Sequence, residues 1–133
     1  MINIYFNFNG NAREVITFYK EVFDADEPKL MTFRDFPNVD EKMKDWITHG
    51  LLIVNGQQLM FSDTMPDHPA KLGDQITLLI NSTSEEDLRK WFERLSEQAQ
   101  ILQALAPSFF SPLYGSLVDK FGTTWQFYLE GAH

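Results

Sequence analysis

Residues 2–24, INIYFNFNGNAREVITFYKEVFD, have the same pattern as residues 76–97, ITLLINSTSEEDLRKWFERLSE. Each stretch begins with a short run of alternating apolar side chains and continues through a polar break rich in Asn or Ser. It ends in a segment whose apolar residues recur at intervals of three and four, as in an amphipathic helix. Phe18-Tyr19 of the first stretch aligns with Trp91-Phe92 of the second. The sequence therefore predicts a duplicated strand–helix module.

Two copies of this module account for nearly the whole chain of 133 residues. We expect one domain over 1–133, built of modules at about 1–65 and 75–130. The segment 66–74 contains two prolines and a glycine and is expected to link them. An apolar content of 44%, with 12 Phe, is enough to fill a core.

The composition disfavours several classes of partner. Asp and Glu number 19 against 11 Lys and Arg, so the net charge is −8. That charge repels the phosphates of nucleic acid and anionic membranes. The absence of Cys excludes disulfides, a zinc knuckle and a thiol nucleophile. No apolar run reaches the roughly 18 residues of a membrane span, and we expect a cytoplasmic protein.

The clearest local pattern is a β-hairpin over ITHGLLIV, Asn55-Gly56 and QQLMFSD. Asn-Gly supplies the two residues of positive φ that a type I′ turn requires. Because a two-residue turn fixes the register, Leu51 is expected opposite Met60, and His49 opposite Ser62.

The remaining elements follow from shorter patterns. Asn11-Ala-Arg-Glu14 has the form of a capping box at the start of the first helix. Residues 29–35 and 100–106 are expected to be strands, and two more strands are expected to flank a turn at Asp119–Gly122. The second module is expected to begin at Gln75. The predicted order is βαβββ twice, an α+β fold whose helices cover one face of each curved sheet.

Three segments carry a resemblance to a known family: FNGNAREVITFYKEVF, ITHGLLIVNGQQLMFSD and YGSLVDKFGTTWQFYL. Together they are similar to the PhnB-like branch of the vicinal oxygen chelate superfamily, which includes glyoxalase I and the bleomycin-resistance proteins. The chain departs from that branch at Gln98-Ala99 and at residues 103–105, where members carry a glycine pair and a Met-Pro-Leu-like strand. This departure leaves the geometry of the strand near residue 102 open.

The resemblance implies that each module curls into a half-barrel and that the concave polar faces line a ligand cavity, often completed across a homodimer. The alternation in the first strand agrees, since it places Asn3, Tyr5 and Asn7 on the polar face. The side chains expected to bind the ligand are Asn3, Tyr5, Asn7, His49, Met60, Ser62, Gln75, Tyr114 and Gln126.

Metal-dependent relatives hold a divalent ion at the first and last strands of each module. Carried over by position, these ligand sites fall near Asn3, Met60, Gln75 and Gln126. Divalent transition metals are normally held by imidazole, carboxylate or thiolate, and none of these four side chains is of that kind. We therefore predict no metal site and no cofactor.

His49 is the candidate catalytic residue. It could act as a general base or anchor an anionic ligand, with Ser62 beside it. The alternative is a half-buried strand histidine that is satisfied by Ser62 or by a backbone group. Tyr5 and Tyr114 have the same two interpretations, as hydroxyls offered to a ligand or as side chains that fill volume.

Other catalytic patterns are missing. Asp63 is interpreted as a strand-end or turn residue and Asp119 as the first residue of an Asx turn. There is no GxSxG motif. Members of this branch have been labelled as methyltransferases acting on a demethylubiquinone, but no glycine-rich strand–turn–helix loop is present to hold a nucleotide-like methyl donor.

The leading hypothesis is a metal-independent, homodimeric protein that binds a small molecule. The alternative is a lyase, isomerase or dioxygenase of the same superfamily that uses His49. A protein-interaction domain without a ligand is a third hypothesis.

Overall fold

The computed structural model describes residues 1–131. Its helices and strands confirm that the order βαβββ occurs twice. The elements are β1 (Ile4–Phe8), α1 (Ala12–Phe23), β2 (Lys29–Thr32), β3 (Ile47–Val54), β4 (Gln57–Asp63), β5 (Leu78–Ser82), α2 (Glu85–Leu95), β6 (Gln100–Ala106), β7 (Tyr114–Val118) and β8 (Thr124–Leu129).

The chain divides into two compact units, one ending at Lys71 and the next beginning at Leu72. The first unit contains a sheet of order β1-β4-β3-β2, and the second a sheet of order β5-β8-β7-β6. In each sheet the first strand runs parallel to the last strand of its unit, and the other pairs are antiparallel. The predicted α+β fold of two equivalent modules is thus confirmed.

Each helix buries its apolar stripe against one face of its own sheet. In α1 the stripe includes Val15, Ile16 and Tyr19, all fully buried, and in α2 it includes Leu88 and Leu95. Removal of this apolar surface from water is the main stabilising contribution, at about 1.5 to 3 kcal/mol for each large side chain. The helix of each unit does not cover the opposite face of its sheet.

The hairpin prediction is confirmed in detail. Asn55 has φ 51° and Gly56 has φ 81°, which are values of a type I′ turn. Leu51 lies opposite Met60, as predicted. The local sequence was sufficient here because the turn geometry sets the pairing.

The capping box prediction is wrong, since the side chain of Asn11 makes no capping hydrogen bond to α1. The cap is instead Asp63, at the end of β4. Its Oδ1 accepts hydrogen bonds from the backbone N–H groups of Gly10 and Ala12, each at 2.9 Å, and its Oδ2 accepts one from Ile47 at 2.9 Å. A carboxylate at this place complements the partial positive charge of the helix N-terminus.

Two strand boundaries also differ from the prediction. The strand expected over 29–35 ends at Thr32, whose hydroxyl accepts a hydrogen bond from the backbone N–H of Arg34 and starts a 3₁₀ turn. The alternating run of the second module, which starts at Ile76 in the sequence, forms a strand only from Leu78, and Ile76 is exposed.

The edge strand predicted over 100–106 is present as β6. Its pairing with β7 is irregular on both sides of Gln103. At that point a Cβ on Gly115 would lie 3.0 Å from the carbonyl oxygen of Gln103, so β7 needs a glycine there to approach the irregular edge closely. Within residues 1–131, no helix has the length and apolar character to cross a membrane.

Candidate ligand-binding faces

The first sheet leaves one face uncovered. Gly50 identifies the covered face, because a Cβ there would lie 2.8 Å from Ile16 of α1. The residues on either side of Gly50, His49 and Leu51, therefore point to the other face, which we call the open face of the first sheet.

Cross-strand pairing places further side chains on this open face. Tyr5 lies opposite Met60, Met60 opposite Leu51, and Leu51 opposite Lys29. Side chains of directly paired residues share a face, so these four form one row across all four strands. Met31, which lies opposite His49, belongs to the next row.

Tyr5 and His49 are joined on this face. The Tyr5 hydroxyl lies 3.2 Å from Nδ1 of His49, and the two ring centroids are 5.8 Å apart. Which atom donates depends on the imidazole tautomer. The proposed pairing of His49 with Ser62 is not seen as a side-chain bond, because the Ser62 hydroxyl donates to the backbone carbonyl of Asp63 at 3.2 Å.

The second sheet carries a different polar group on the equivalent face. The Tyr114 hydroxyl donates to Oε1 of Gln126 at 2.6 Å, and Nε2 of Gln126 donates to the Thr77 hydroxyl at 2.8 Å. Both ends of the Gln126 amide are therefore bound, and its orientation is fixed.

An aromatic cluster surrounds Tyr114 in the second unit. Its ring centroid lies 4.8 Å from that of Phe110, and Phe110 stacks on Tyr128 at 6.1 Å. The loop that carries Phe110 is anchored by Ser111, whose buried hydroxyl donates to the carbonyls of Leu113 and Leu129. The sequence of this loop, PSFFSP, predicts only a break in regular structure.

The residues expected at the metal-ligand positions of the superfamily occupy equivalent places in the two units, with one exception. Met60 on β4 and Gln126 on β8 are equivalent, since each lies opposite the second residue of its unit's first strand. Asn3 directly precedes β1, and the residue that directly precedes β5 is Thr77, not Gln75. The equivalent donors are thus an amide, a thioether, a hydroxyl and a second amide.

This set of donors does not fit a divalent transition metal. Amide and hydroxyl oxygens are weak ligands, and the amide oxygen of Gln126 already accepts a hydrogen bond from Tyr114. Within residues 1–131, no cluster of three or more His, Cys, Asp or Glu side chains is arranged to hold a metal ion.

The two carboxylates singled out in the sequence have structural roles. Asp119 Oδ1 accepts from the backbone N–H groups of Phe121 and Thr123, and its Oδ2 accepts from the indole N–H of Trp125 at 2.9 Å. The Asx-turn interpretation is correct. Like Asp63, Asp119 is only 3% exposed.

Sequence reasoning missed two residues of the open face, Lys29 and Met31. Both lie on β2. The sequence predicts this strand but does not indicate which face of the sheet each of its side chains points to. Their alternation with Leu30 and Thr32 was visible in the sequence, but the face could be assigned only once β2 was paired with β3.

Two units of order βαβββ, each with a covered face and an open polar face, define a protein of the vicinal oxygen chelate fold. A family model described as 3-demethylubiquinone-9 3-methyltransferase matches residues 1–128, and the chain belongs to that family. The predicted PhnB-like branch is confirmed.

Relatives agree with this assignment. Protein YjdN of Escherichia coli K12 is 26% identical over 132 residues, which cover 91% of this chain and 89% of YjdN. Protein PA1353 of Pseudomonas aeruginosa is 28% identical with a TM-score of 0.83, covering 98% of both chains. A PhnB protein of Bacillus cereus is 26% identical with a TM-score of 0.78, covering 97% of this chain and 98% of the other.

The fold extends to a more distant protein. The fosfomycin resistance protein FosX of Listeria monocytogenes has a TM-score of 0.65 at 8% identity, covering 98% of this chain and 91% of FosX. FosX has also been solved with Mn(II) and sulfate. At this identity the likeness concerns the fold alone.

Proposed function

We propose that this chain is a metal-independent protein that binds small molecules, and that the open face of each sheet, taken by itself, is a binding surface. The observation that carries the proposal is the hydrogen-bonded pair of Tyr5 and His49. This pair lies in the middle of a sheet face that no helix of its unit covers. Tyr5 is 46% exposed, so the pair is reachable from solvent. Defined polar groups among apolar side chains are characteristic of ligand sites.

The second unit supports the same proposal with a different set of side chains. Tyr114, Gln126 and Thr77 form a hydrogen-bonded row of neutral groups beside the aromatic ring of Phe110. Such a row can orient a ligand through one hydroxyl and one amide without a charge. The residues we assign to ligand binding are Asn3, Tyr5, Asn7, His49, Met60, Ser62, Tyr114 and Gln126, with Thr77 at the place expected for Gln75.

Independence from metal is proposed on the chemistry of the donors. Met60 and Gln126 occupy the positions at which metal-dependent members of the superfamily supply ligands. A thioether and a hydrogen-bonded amide cannot replace imidazole or carboxylate for ions such as zinc, iron or nickel.

The homodimer is also a proposal. Several apolar side chains of the second unit are exposed in the single chain, among them Leu79 at 49%, Leu102 at 52% and Phe109 at 92%. Apolar surface of this kind is commonly covered in an assembly. We treat the two modules, about 1–65 and 75–130, as one domain of such a dimer.

Methyl transfer is not the function we propose, although the family's description names it. A nucleotide-like methyl donor needs polar groups that can take its ribose or charged ends. The N–H groups of Gly10 and Ala12, at the junction of β1 and α1, are already bound by Asp63. At the junction of β5 and α2, the N–H of Asp87 is bound by the Ser84 hydroxyl.

The second candidate is a lyase, isomerase or dioxygenase that uses His49. The observation in its favour is the 3.2 Å contact between Nδ1 and Tyr5, because a hydrogen bond at one ring nitrogen orients the imidazole for proton transfer at the other. Turnover of a methylglyoxal–glutathione adduct or of a catechol, lost after chelation, would support this candidate.

Elemental analysis of the purified protein, combined with native mass spectrometry in buffer free of chelator, tests the proposal. We expect a dimer with less than stoichiometric transition metal. One tightly bound transition metal per subunit would contradict metal independence and favour the enzyme, and a monomer would contradict the proposed assembly.

A further inference from the structure

Charge is distributed unevenly between the open face and the rest of the first unit. The strands of the first sheet contain a single carboxylate, Asp63. It is buried on the covered face and bound to three backbone N–H groups at the start of α1 and β3. The strand residues of the open face therefore carry no acid, although the chain as a whole has a net charge of −8.

The same face carries Lys29 and His49. Lys29 lies opposite Leu51, and Met31, two residues further along β2, lies opposite His49. Residues two apart on a strand share a face and are separated by roughly 7 Å. Lys29 and His49 therefore occupy adjacent rows of one face, close enough for a small charged group to contact both.

Within the described residues of the first unit, two lysines are paired with a carboxylate, and Lys29, Lys42 and Lys71 are not. Lys20 Nζ lies 3.0 Å from Glu27, and Lys44 Nζ lies 2.6 Å from Glu41. Within residues 1–131 no carboxylate pairs with Lys29. A lysine and a histidine on a face whose strand residues carry no acid favour an anion over a cationic group.

The surface between these polar groups is apolar. Met31 is 63% exposed, and Leu51 and Met60 are partly exposed in the neighbouring row. Thioether side chains adapt their shape to the group placed on them. A ligand that covers this surface gains from an apolar body as well as from a charged end.

We propose that the open face of the first sheet binds a small organic anion with an apolar body. Its charged group lies between Lys29 and His49, and its body covers Met31, Leu51 and Met60. This inference rests on the proposed function and adds the chemical class of the ligand and a binding residue, Lys29.

Three probes with one ring and different charges test the proposal: benzoate, benzamide and benzylammonium. Each is titrated into the ¹⁵N-labelled full chain, and binding is followed by the chemical shifts of residues on β1 to β4. We expect benzoate to bind most tightly, and its affinity to fall with added salt because the pair is exposed to solvent. Benzylammonium is expected to bind least.

Two lysine variants of equal charge isolate the role of Lys29. Lys29→Met is expected to weaken benzoate about fivefold and to leave benzamide unchanged, which is the size expected for one solvent-exposed ion pair. Lys42→Met is the control, because it removes the same charge from the short 3₁₀ helix at 41–43, outside the sheet. Lys42→Met is expected to change the affinities for benzoate and for benzamide by less than twofold.

Different results separate this inference from the proposed function. If benzamide or benzylammonium binds the face as tightly as benzoate, or if the two lysine variants behave alike, the anion assignment is wrong while a ligand site remains. If none of the three probes shifts resonances on this face, both the anion assignment and the proposed ligand site fail.

Discussion

The hydroxyl of Tyr5 lies 3.2 Å from Nδ1 of His49, although the two residues are 44 positions apart in the sequence. Tyr5 is on β1 and His49 is on β3, and β4 lies between these strands. Strands two places apart are separated by roughly 10 Å, so two long side chains are needed to meet across the middle strand. The pair therefore forms a polar bridge over β4, and its position defines the centre of the open face.

Tyr5→Phe removes this bridge but keeps the aromatic ring. We expect the free energy of unfolding to change by no more than about 0.5 kcal/mol, because the hydroxyl is close to solvent. The affinity for benzoate is expected to fall about threefold, since His49 loses the hydrogen bond that orients it.

The matched control is Tyr128→Phe in the second unit, which also loses one hydroxyl hydrogen bond, to the carbonyl of Phe110. It should leave benzoate shifts on the first sheet unchanged. Calorimetry and ¹⁵N spectra distinguish the two effects, and equal loss of affinity in both variants would argue against a role for the Tyr5–His49 pair.

Asp63→Asn tests the carboxylate that replaces the expected capping box. The change leaves one oxygen but sets an amide NH₂ against a backbone N–H at 2.9 Å. Because the site is buried and the N–H that faces the NH₂ group would be left without an acceptor, we expect a loss of about 3 kcal/mol in the free energy of unfolding.

Urea denaturation of Asp63→Asn beside Asp67→Asn provides the comparison. The Asp67 side chain is 77% exposed, so its substitution is expected to cost less than about 0.5 kcal/mol. Similar midpoints for the two variants would show that Asp63 does not stabilise the junction of β4 with α1.

Gly56→Ala tests the turn that fixes the first hairpin. Nothing lies within 4 Å of an added Cβ, but φ is 81°, a conformation that L side chains rarely adopt. We expect a loss of about 1 kcal/mol. Gly73→Ala is the control, since it also has open space and lacks a positive φ. A thermal midpoint that falls as far for Gly73→Ala would contradict this explanation.

The sequence predicted those parts of the fold that depend on neighbouring residues. Asn55-Gly56 determines the turn and register of its own hairpin, and the apolar stripe of α1 determines which side of the helix is buried. The duplicated pattern was readable because both modules keep the same order of strand, polar break and helix. These signals are local, so the sequence alone was sufficient.

The site depended on contacts that are distant in sequence. Asp63 caps α1 because β4 runs parallel to β1 and ends beside the helix start, and no pattern around Asn11 indicates this. His49 contacts Tyr5 because β4 pairs with both β1 and β3, which brings these two strands within reach of each other. The hairpin pattern predicts His49 opposite Ser62, but the hairpin alone does not give the position of β1, which carries Tyr5.

The central claim is that the open face of the first sheet binds its ligand without a metal. The most direct measurement is a calorimetric titration of benzoate into wild-type protein and His49→Ala, each before and after dialysis against EDTA, with the exposed His68→Ala as a control. We predict equal wild-type affinity with and without EDTA, weaker binding by His49→Ala, and no change for His68→Ala. Binding that disappears after EDTA and returns with added metal, or that is unaffected by His49→Ala, would contradict the account.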